Sequence, residues 1–365
     1  MSEPAEKQPK YFLLKALIFP VLVVPALVVT LLVIRGNEAE QLYYRGLDAA
    51  DRGDFIEAAR NFERASNLGH GNSAYNLALL YREGLLEAPN RQKLAMDFLR
   101  KAADNGSLDA EYELGKIAET STPPNYDQAA MHYDKAARGG HTEGMLALGR
   151  LYEAGLGVNQ SPLVAAGFYE KAAAKGNADA ALHLGALHLS GKLGSKDAVL
   201  AEQYLLTAAE KNHPQACNML GYFYEQRSNS DSDRKLSGEF YCKAAQLNDP
   251  DGLVNYGDYL FSSGQQEQAL VFYQQAEKQH NSIAALHRIG MYYYKQPEPD
   301  YANAQVYFER AAQRGNAASW INLGIMAEKG LGRPVDLEYA RKCYSAAAEK
   351  GHAEGKKLLE KLSGK

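Results

Sequence analysis

Seven pairs of an apolar residue followed by glycine recur along this chain at nearly constant spacing: Leu114-Gly115, Leu148-Gly149, Leu184-Gly185, Leu220-Gly221, Tyr256-Gly257, Ile289-Gly290 and Leu323-Gly324. Successive glycines stand 34, 36, 36, 36, 33 and 34 residues apart. Self-similarity at such a period is the mark of stacked supersecondary units, each too small to bury its own apolar face. A second marker keeps step: Lys101-Ala102-Ala103, Lys135-Ala136-Ala137, Lys171-Ala172-Ala173, Lys243-Ala244-Ala245 and Arg310-Ala311-Ala312. A third closes most units, as Gly106, Gly140, Gly176, Gly315 and Gly351, with Asn212 and Asn248 taking its place elsewhere.

The residue types define the unit. Met145, Leu148, Leu151 and Tyr152 stand at helical spacing around the first glycine. Glycine inside a helix costs about 1 kcal/mol relative to alanine. Its recurrence at one register implies a partner helix too close for a Cβ, and the Ala-Ala pair of the second helix is the expected counterpart. The closing Gly or Asn suits a left-handed residue that ends the second helix. Turn-rich stretches such as GLGVNQSP, SNSDSD and GLGRPVD separate the two helices. Pro162 and Pro334 precede the second helix, where a missing N–H is harmless.

With ALGRLYEAGLGV and AAGFYEKAAAKG between Ala147 and Gly176, and NLGIMAEKGLGRPVD and ARKCYSAAAEKG between Asn322 and Gly351, the chain resembles the Sel-one-like repeat, a branch of the tetratricopeptide superfamily. The resemblance covers most of residues 39–351, about nine units. Residues 39–69 and 249–280 look instead like plain tetratricopeptide repeats with a short inter-helix turn, and 352–365 reads as a polar capping helix and tail. The resemblance implies an all-α fold, a right-handed α-solenoid of helix-turn-helix repeats, whose first helices line a concave face.

Two residues before the marker glycine stand Glu113, His183, Asn255, Arg288 and Asn322, with Asn76 at the same register ahead of Ala78. In the family such side chains clamp a bound peptide; here they either do so or solvate a helix face. Among the aromatic residues Tyr222, Phe223, Tyr259, Tyr292 and Tyr294, the candidates for partner binding are Tyr222, Tyr259 and Tyr292. Tyr152, Tyr224 and Tyr293 belong to the core by the family pattern.

Ahead of the repeats, Ala16 to Ile34 reads ALIFPVLVVPALVVTLLVI, with no charge over 19 residues. As a helix it would extend roughly 28 Å, against the ~30 Å hydrocarbon core of a bilayer. It ends in LLVIRGNE with no small-residue cleavage site, so it reads as an uncleaved signal-anchor with Pro20 and Pro25 inside the span. Lys7, Lys10 and Lys15 precede it against Arg35, Arg45 and Arg52 behind, placing residues 1–15 in the cytoplasm. The expectation is a single-pass protein of the bacterial inner membrane with its repeats in the periplasm.

Signals for chemistry are lacking. A net charge of −4 carries no footprint for nucleic acid. His70, His141, His213 and His352 follow the closing residue of successive units, so repeat position explains them. His183 and His188 are five apart, not the four that would aim both at one metal. GALHLSGKL misses a phosphate loop in spacing and in the residue at Leu193. Glu119, Glu153, Glu225 and Glu328 share one register and read as solvated or turn-capping positions. Cys217, Cys242 and Cys343 read as thiols, a Cys217–Cys242 bridge being the rival. No catalytic residue, metal or cofactor is expected. The leading function is a protein–protein interaction scaffold for a bacterial envelope complex, in secretion, polysaccharide export, flagellum or pilus assembly, with membrane or envelope proteins as partners. The alternative is a receptor for a cell-wall or exopolysaccharide polymer, with tyrosines as stacking platforms.

Overall fold

The computed structural model describes residues 33–227 and 230–363, and every regular element among the described residues is a helix. The chain divides into two compact blocks, Met1–Lys175 and Gly176–Lys365. The first contains α1 (residues 33–51), α2 (Phe55–Asn67), α3 (Gly71–Arg82), α4 (Arg91–Asp104), α5 (Leu108–Glu119), α6 (Tyr126–Gly139), α7 (Thr142–Ala154) and α8 (Pro162–Ala174). The second contains α9 (Ala178–Ser190), α10 (Ala198–Glu210), α11 (Pro214–Arg227), α12 (Asp231–Gln246), α13 (Pro250–Ser262) and α14 (Gln266–His280), then α15 (Ile283–Tyr294), α16 (Tyr301–Gln313), α17 (Ala317–Lys329), α18 (Leu337–Glu349) and α19 (Ala353–Ser363). From α3 onward within each block, each odd-numbered helix packs on the even-numbered one that follows, and that one on the next odd helix. Each block is thus an all-α solenoid of stacked pairs. Odd helices also meet odd helices of the neighbouring pair: α3 with α5, α11 with α13, α13 with α15, and α17 with α19.

Local chemistry sets the helix limits. Even helices start on Asp54, Ser161, Asp300 and Asp336, whose side chains accept a backbone N–H three residues on. Odd helices start on Asn177, Asp249 and Asn316 in the same way. The recurrent histidines do this too: His70 and His141 accept the backbone N–H of Ser73 and Gly144 through Nδ1, at 3.2 and 3.0 Å. The closing residues adopt the left-handed backbone their types suit, for example Gly140 at φ +98° and Asn248 at φ +60°, and Asn281 does the same at φ +55°. Pro162 is the first residue of α8, whereas Pro334 lies in the loop ahead of Asp336, which caps α18.

The marker glycines do permit close approach, but their counterpart is a ring and not the Ala-Ala pair. A Cβ on Gly115 or Gly149 would fall 2.5 Å from the ring of Tyr133 or Tyr169 on the following helix. Gly221, Gly257 and Gly324 stand the same way against Tyr241, Tyr273 and Tyr344, while Phe62 and Phe308 serve Gly46 and Gly290, and Leu205 serves Gly185. The first alanine of the pair faces the next odd helix. Ala136 and Ala244 there meet Gly144 and Gly252, leaving room for no larger side chain.

The acids at the end of the odd helices are correspondingly not free solvated positions. Glu119, Glu153, Glu225 and Glu328 accept the hydroxyl protons of Tyr133, Tyr169, Tyr241 and Tyr344 at 2.6, 3.0, 2.8 and 2.9 Å. Burial, and then the adjacent carboxylate, hold these phenols well above their ordinary value, so each remains a hydrogen-bond donor.

The expected localisation needs correction. Among the described residues no helix is long and apolar enough to cross a membrane. Residues 16–32 of the expected span lie outside the described residues, and Val33 and Ile34, its last two, are exposed at the start of α1. The reading as a single-pass inner-membrane protein with periplasmic repeats is withdrawn on that finding.

Candidate functional site

Within each block neighbouring odd helices meet, α3 with α5 in the first and α11 with α13 and α15 in the second, and the polar residues two before the marker are half-buried on these helices and on α9 and α17. In the first block, Glu113 on α5 takes Arg82 of α3 at 3.1 Å and Lys116 of its own helix at 2.9 Å. Asn76 is half-buried on α3. In the second block, His183 is half-buried on α9. The Asn255 amide donates to Asn218 of α11 at 2.8 Å. Arg288 on α15 donates through Nε to both carboxylate oxygens of Asp258 on α13, at 2.7 and 2.9 Å. Asn322 on α17 lies 3.3 Å from the Met291 sulfur on α15. The structure therefore brings Asn255, Arg288 and Asn322 together with partners from the neighbouring pair.

The tyrosines divide differently. Tyr222 is 55% exposed on α11. Tyr259, however, lies against the backbone of Gly238 on α12, where its ring occupies the place a Cβ would need. Tyr292 is half-buried beside Gln296 and the turn at Gly264 to Gln268. Phe223 is buried. Of the three rings set aside as core, Tyr224 is buried, while Tyr152 and Tyr293 are half-buried and stacked on Phe168 and Tyr307.

A cavity of about 220 Å³ opens on this face between α13 and α15, lined by Asp258, Phe261, Ser262, Tyr273, Arg288, Met291 and Lys295. Tyr273 donates its hydroxyl to Asp258 at 2.7 Å, so one carboxylate ties together α13, α14 and α15. Burial works most strongly against the Arg288 charge, but the Asp258 hydrogen bond, the Asp258 charge and Tyr273 together outweigh it, leaving the guanidinium above its ordinary value. The neighbouring His287 is pushed down to about 4, by burial first and then by the Arg288 charge, and its Nδ1 lies 2.9 Å from the Ser319 hydroxyl. Asp258 and Met291 went unnoticed in the sequence. Each directly follows a marker glycine, as Tyr222 does, and that register was the available signal.

No group of three or more His, Cys, Asp or Glu among the described residues is arranged to hold a metal ion. All three cysteines are free thiols. Cys217 and Cys343 are buried, which raises both, Cys343 to about 11.

Comparison with known proteins decides the family. The Sel1 repeat pattern matches residues 37–70, 71–107, 108–141, 142–177, 178–213, 214–249, 283–316 and 321–352, well over half of the chain. The chain belongs to the Sel1 repeat family. It is similar to a protective antigen of uropathogenic Escherichia coli with an SLR fold, at 26% identity and a TM-score of 0.70, over 82% of this chain and 66% of that one. A Sel1 repeat protein from Oxalobacter formigenes shares the fold at 24% identity and a TM-score of 0.61, over 83% of this chain and 89% of its own. Among curated proteins, the DAP3-binding cell death enhancer 1 of Rattus norvegicus is 38% identical over 74 residues, which is 20% of this chain and 14% of that protein. Sel1 repeats are protein–protein interaction modules. The Sel1 pattern also matches residues 37–70, a stretch that resembled a plain tetratricopeptide repeat. Residues 250–282, the α13–α14 pair, fall between matches.

Proposed function

We propose that this chain is a scaffold that docks protein partners on the face formed by its odd-numbered helices, with the α11–α13–α15 stretch as the centre. The observation that carries this reading is the Asp258–Arg288 pair. It is half-exposed and rests at the edge of a cavity that Phe261, Met291 and Lys295 also line. An apolar floor with a few fixed polar groups is the usual make-up of a recognition site. Aromatic and arginine side chains supply most hot spots at interfaces, and Tyr222 and Arg288 stand on neighbouring parts of this stretch.

A photo-crosslinking residue placed at Tyr222 of the full chain should capture a protein partner, and the same residue at Val199, 76% exposed on α10, should not. Arg288→Glu should abolish the capture from position 222. Equal capture from both positions, or capture from 199 alone, would overturn the assignment of the face. The polymer-receptor reading needed tyrosines free to stack. Tyr259 and Tyr292 are packed against their own chain, which leaves Tyr222 as the one exposed ring of the three, and a single ring does not make a stacking platform.

A further inference from the structure

Five helix pairs close the space beside the glycine seam in one way. A ring three residues after the marker position stacks on a ring of the following helix: Tyr81 on Phe98, Tyr152 on Phe168, His188 on Tyr204, Tyr224 on Phe240 and Tyr293 on Tyr307. Centroid separations run only from 5.6 Å for Tyr224–Phe240 to 5.9 Å for Tyr152–Phe168, and the ring planes stay within 17° of parallel. The α5–α6 pair keeps one half of this arrangement. Its second-helix ring is His132, next to the seam residue Tyr133, but the position three after Gly115 is Ala118.

Where the missing ring would stand, the structure has an open cavity of about 740 Å³, lined among others by Met96, Arg100, Ile117, Ala118, Tyr126 and His132. A volume of that size accepts an amino-acid side chain with part of its backbone. The wall of the cavity is also fixed. Glu111, 6% exposed, stands four residues before the marker, where other odd helices carry apolar residues such as Met145, Cys217 and Leu253. Its carboxylate meets Nδ1 of His132 at 2.6 Å and Nζ of Lys135 at 3.1 Å. A carboxylate only accepts, so Nδ1 carries the proton and the imidazole plane is held in place. A surface held in its binding geometry loses little freedom on association.

We propose that the α5–α6 pair holds a slot for one aromatic side chain of a partner protein, which stacks on His132 as Tyr152 stacks on Phe168 in the next pair. The ring completes, from outside, the pairing that the sister repeats complete internally. The source of the ring rests on the scaffold reading; the slot itself does not.

The test uses the full chain with ¹³C-labelled methionine, isoleucine and alanine methyls, titrated with N-acetyl-tyrosine amide and, separately, N-acetyl-leucine amide. The tyrosine probe should produce saturable ring-current shifts at Met96, Ile117 and Ala118, with the leucine probe at least tenfold weaker. Ala118→Tyr installs the ring found in the sister pairs and should abolish binding, and His132→Ala should weaken it at least tenfold. No saturable shift at these methyls in the unaltered chain overturns the slot, however the variants fold. An equal response to the leucine probe overturns its selectivity for rings. Either failure leaves the face around Arg288 standing, because that face is read by crosslinking from position 222.

Discussion

The α7–α8 and α13–α14 pairs make the same seam from different chain. Both set a glycine against a tyrosine ring, Gly149 on Tyr169 and Gly257 on Tyr273, and both give the phenol a carboxylate. In the first pair that carboxylate is Glu153, four residues after the glycine, ahead of a loop that turns through Gly155 and Gly157. In the second the loop is a tight turn through Gly264, the fourth position is Phe261, and the carboxylate comes from Asp258, directly after the glycine. The Sel1 pattern matches the first pair and passes over the second. Between these two pairs glycine on ring is the fixed element, and the acid is movable. Moving it places a carboxylate on the odd-helix face, where Arg288 of the next pair takes it up.

The ring is the part whose loss both pairs should feel equally. Tyr169 and Tyr273 are almost fully buried. Truncating a large buried ring to alanine typically costs about 3–5 kcal/mol. Tyr169→Ala and Tyr273→Ala should each lower stability by that order in urea unfolding of the full chain. A much smaller loss for Tyr273→Ala would mean that the α13–α14 seam is held by something other than its ring.

The next effect comes from the helix that packs on the α13–α14 pair. His287 on α15 is buried and pushed down to about 4, while the same register on α7 carries Leu146. The folded chain keeps this imidazole neutral, and the unfolded chain takes up a proton below about 6.5. Stability from this group is thus complete above pH 6.5 and drains away as pH falls toward 4, by an amount approaching about 3 kcal/mol. His287→Asn should flatten that slope. An unaltered slope would place the acid sensitivity elsewhere.

Smaller again is the overpacking of the seam. Gly185→Leu forces a side chain into Leu205 and should cost about 1–3 kcal/mol. Gly149→Leu meets a rigid ring and should stand at the upper end of that range. An unchanged urea midpoint for both would break the close-packing account.

The seam also shows what could be read from sequence. The period and the left-handed closing residues are visible because each depends on residue type at a local register, as with Gly140 and Asn248. The ring opposite the glycine was not, because Tyr169 and Ala172 lie one helical turn apart, and spacing alone does not say which of them turns inward. The Tyr169–Glu153 bond recurs at a separation of 16 residues in two other pairs and at 14 in the α5–α6 pair, but spacing alone does not say that the two side chains turn toward each other across the loop. On the face, Arg288 and Asn255 stood out as polar residues in an apolar setting. Asp258 and Met291 share with Tyr222 the register after the marker glycine, but their role shows only in contacts with residues about thirty positions away. Tyr259 was placed on the face because nothing local shows that Gly238, on the preceding helix, makes room for its ring.

The finest test removes only the hydroxyl. Tyr169→Phe takes a donor from Glu153, and a hydrogen bond to a charged group is worth about 1.5–3 kcal/mol. Tyr273→Phe takes a donor from Asp258, but that carboxylate keeps both contacts with Arg288. The second loss should therefore be smaller, about 1 kcal/mol or less. Replacing Arg288 with methionine should enlarge the loss at Tyr273→Phe, since Asp258 would then be without its Arg288 contacts and lean on the Tyr273 hydroxyl. A double-mutant cycle between positions 273 and 288 reads this directly. A coupling of zero would mean that seam and face use Asp258 independently, and that moving the acid brought the face nothing from the fold beneath it.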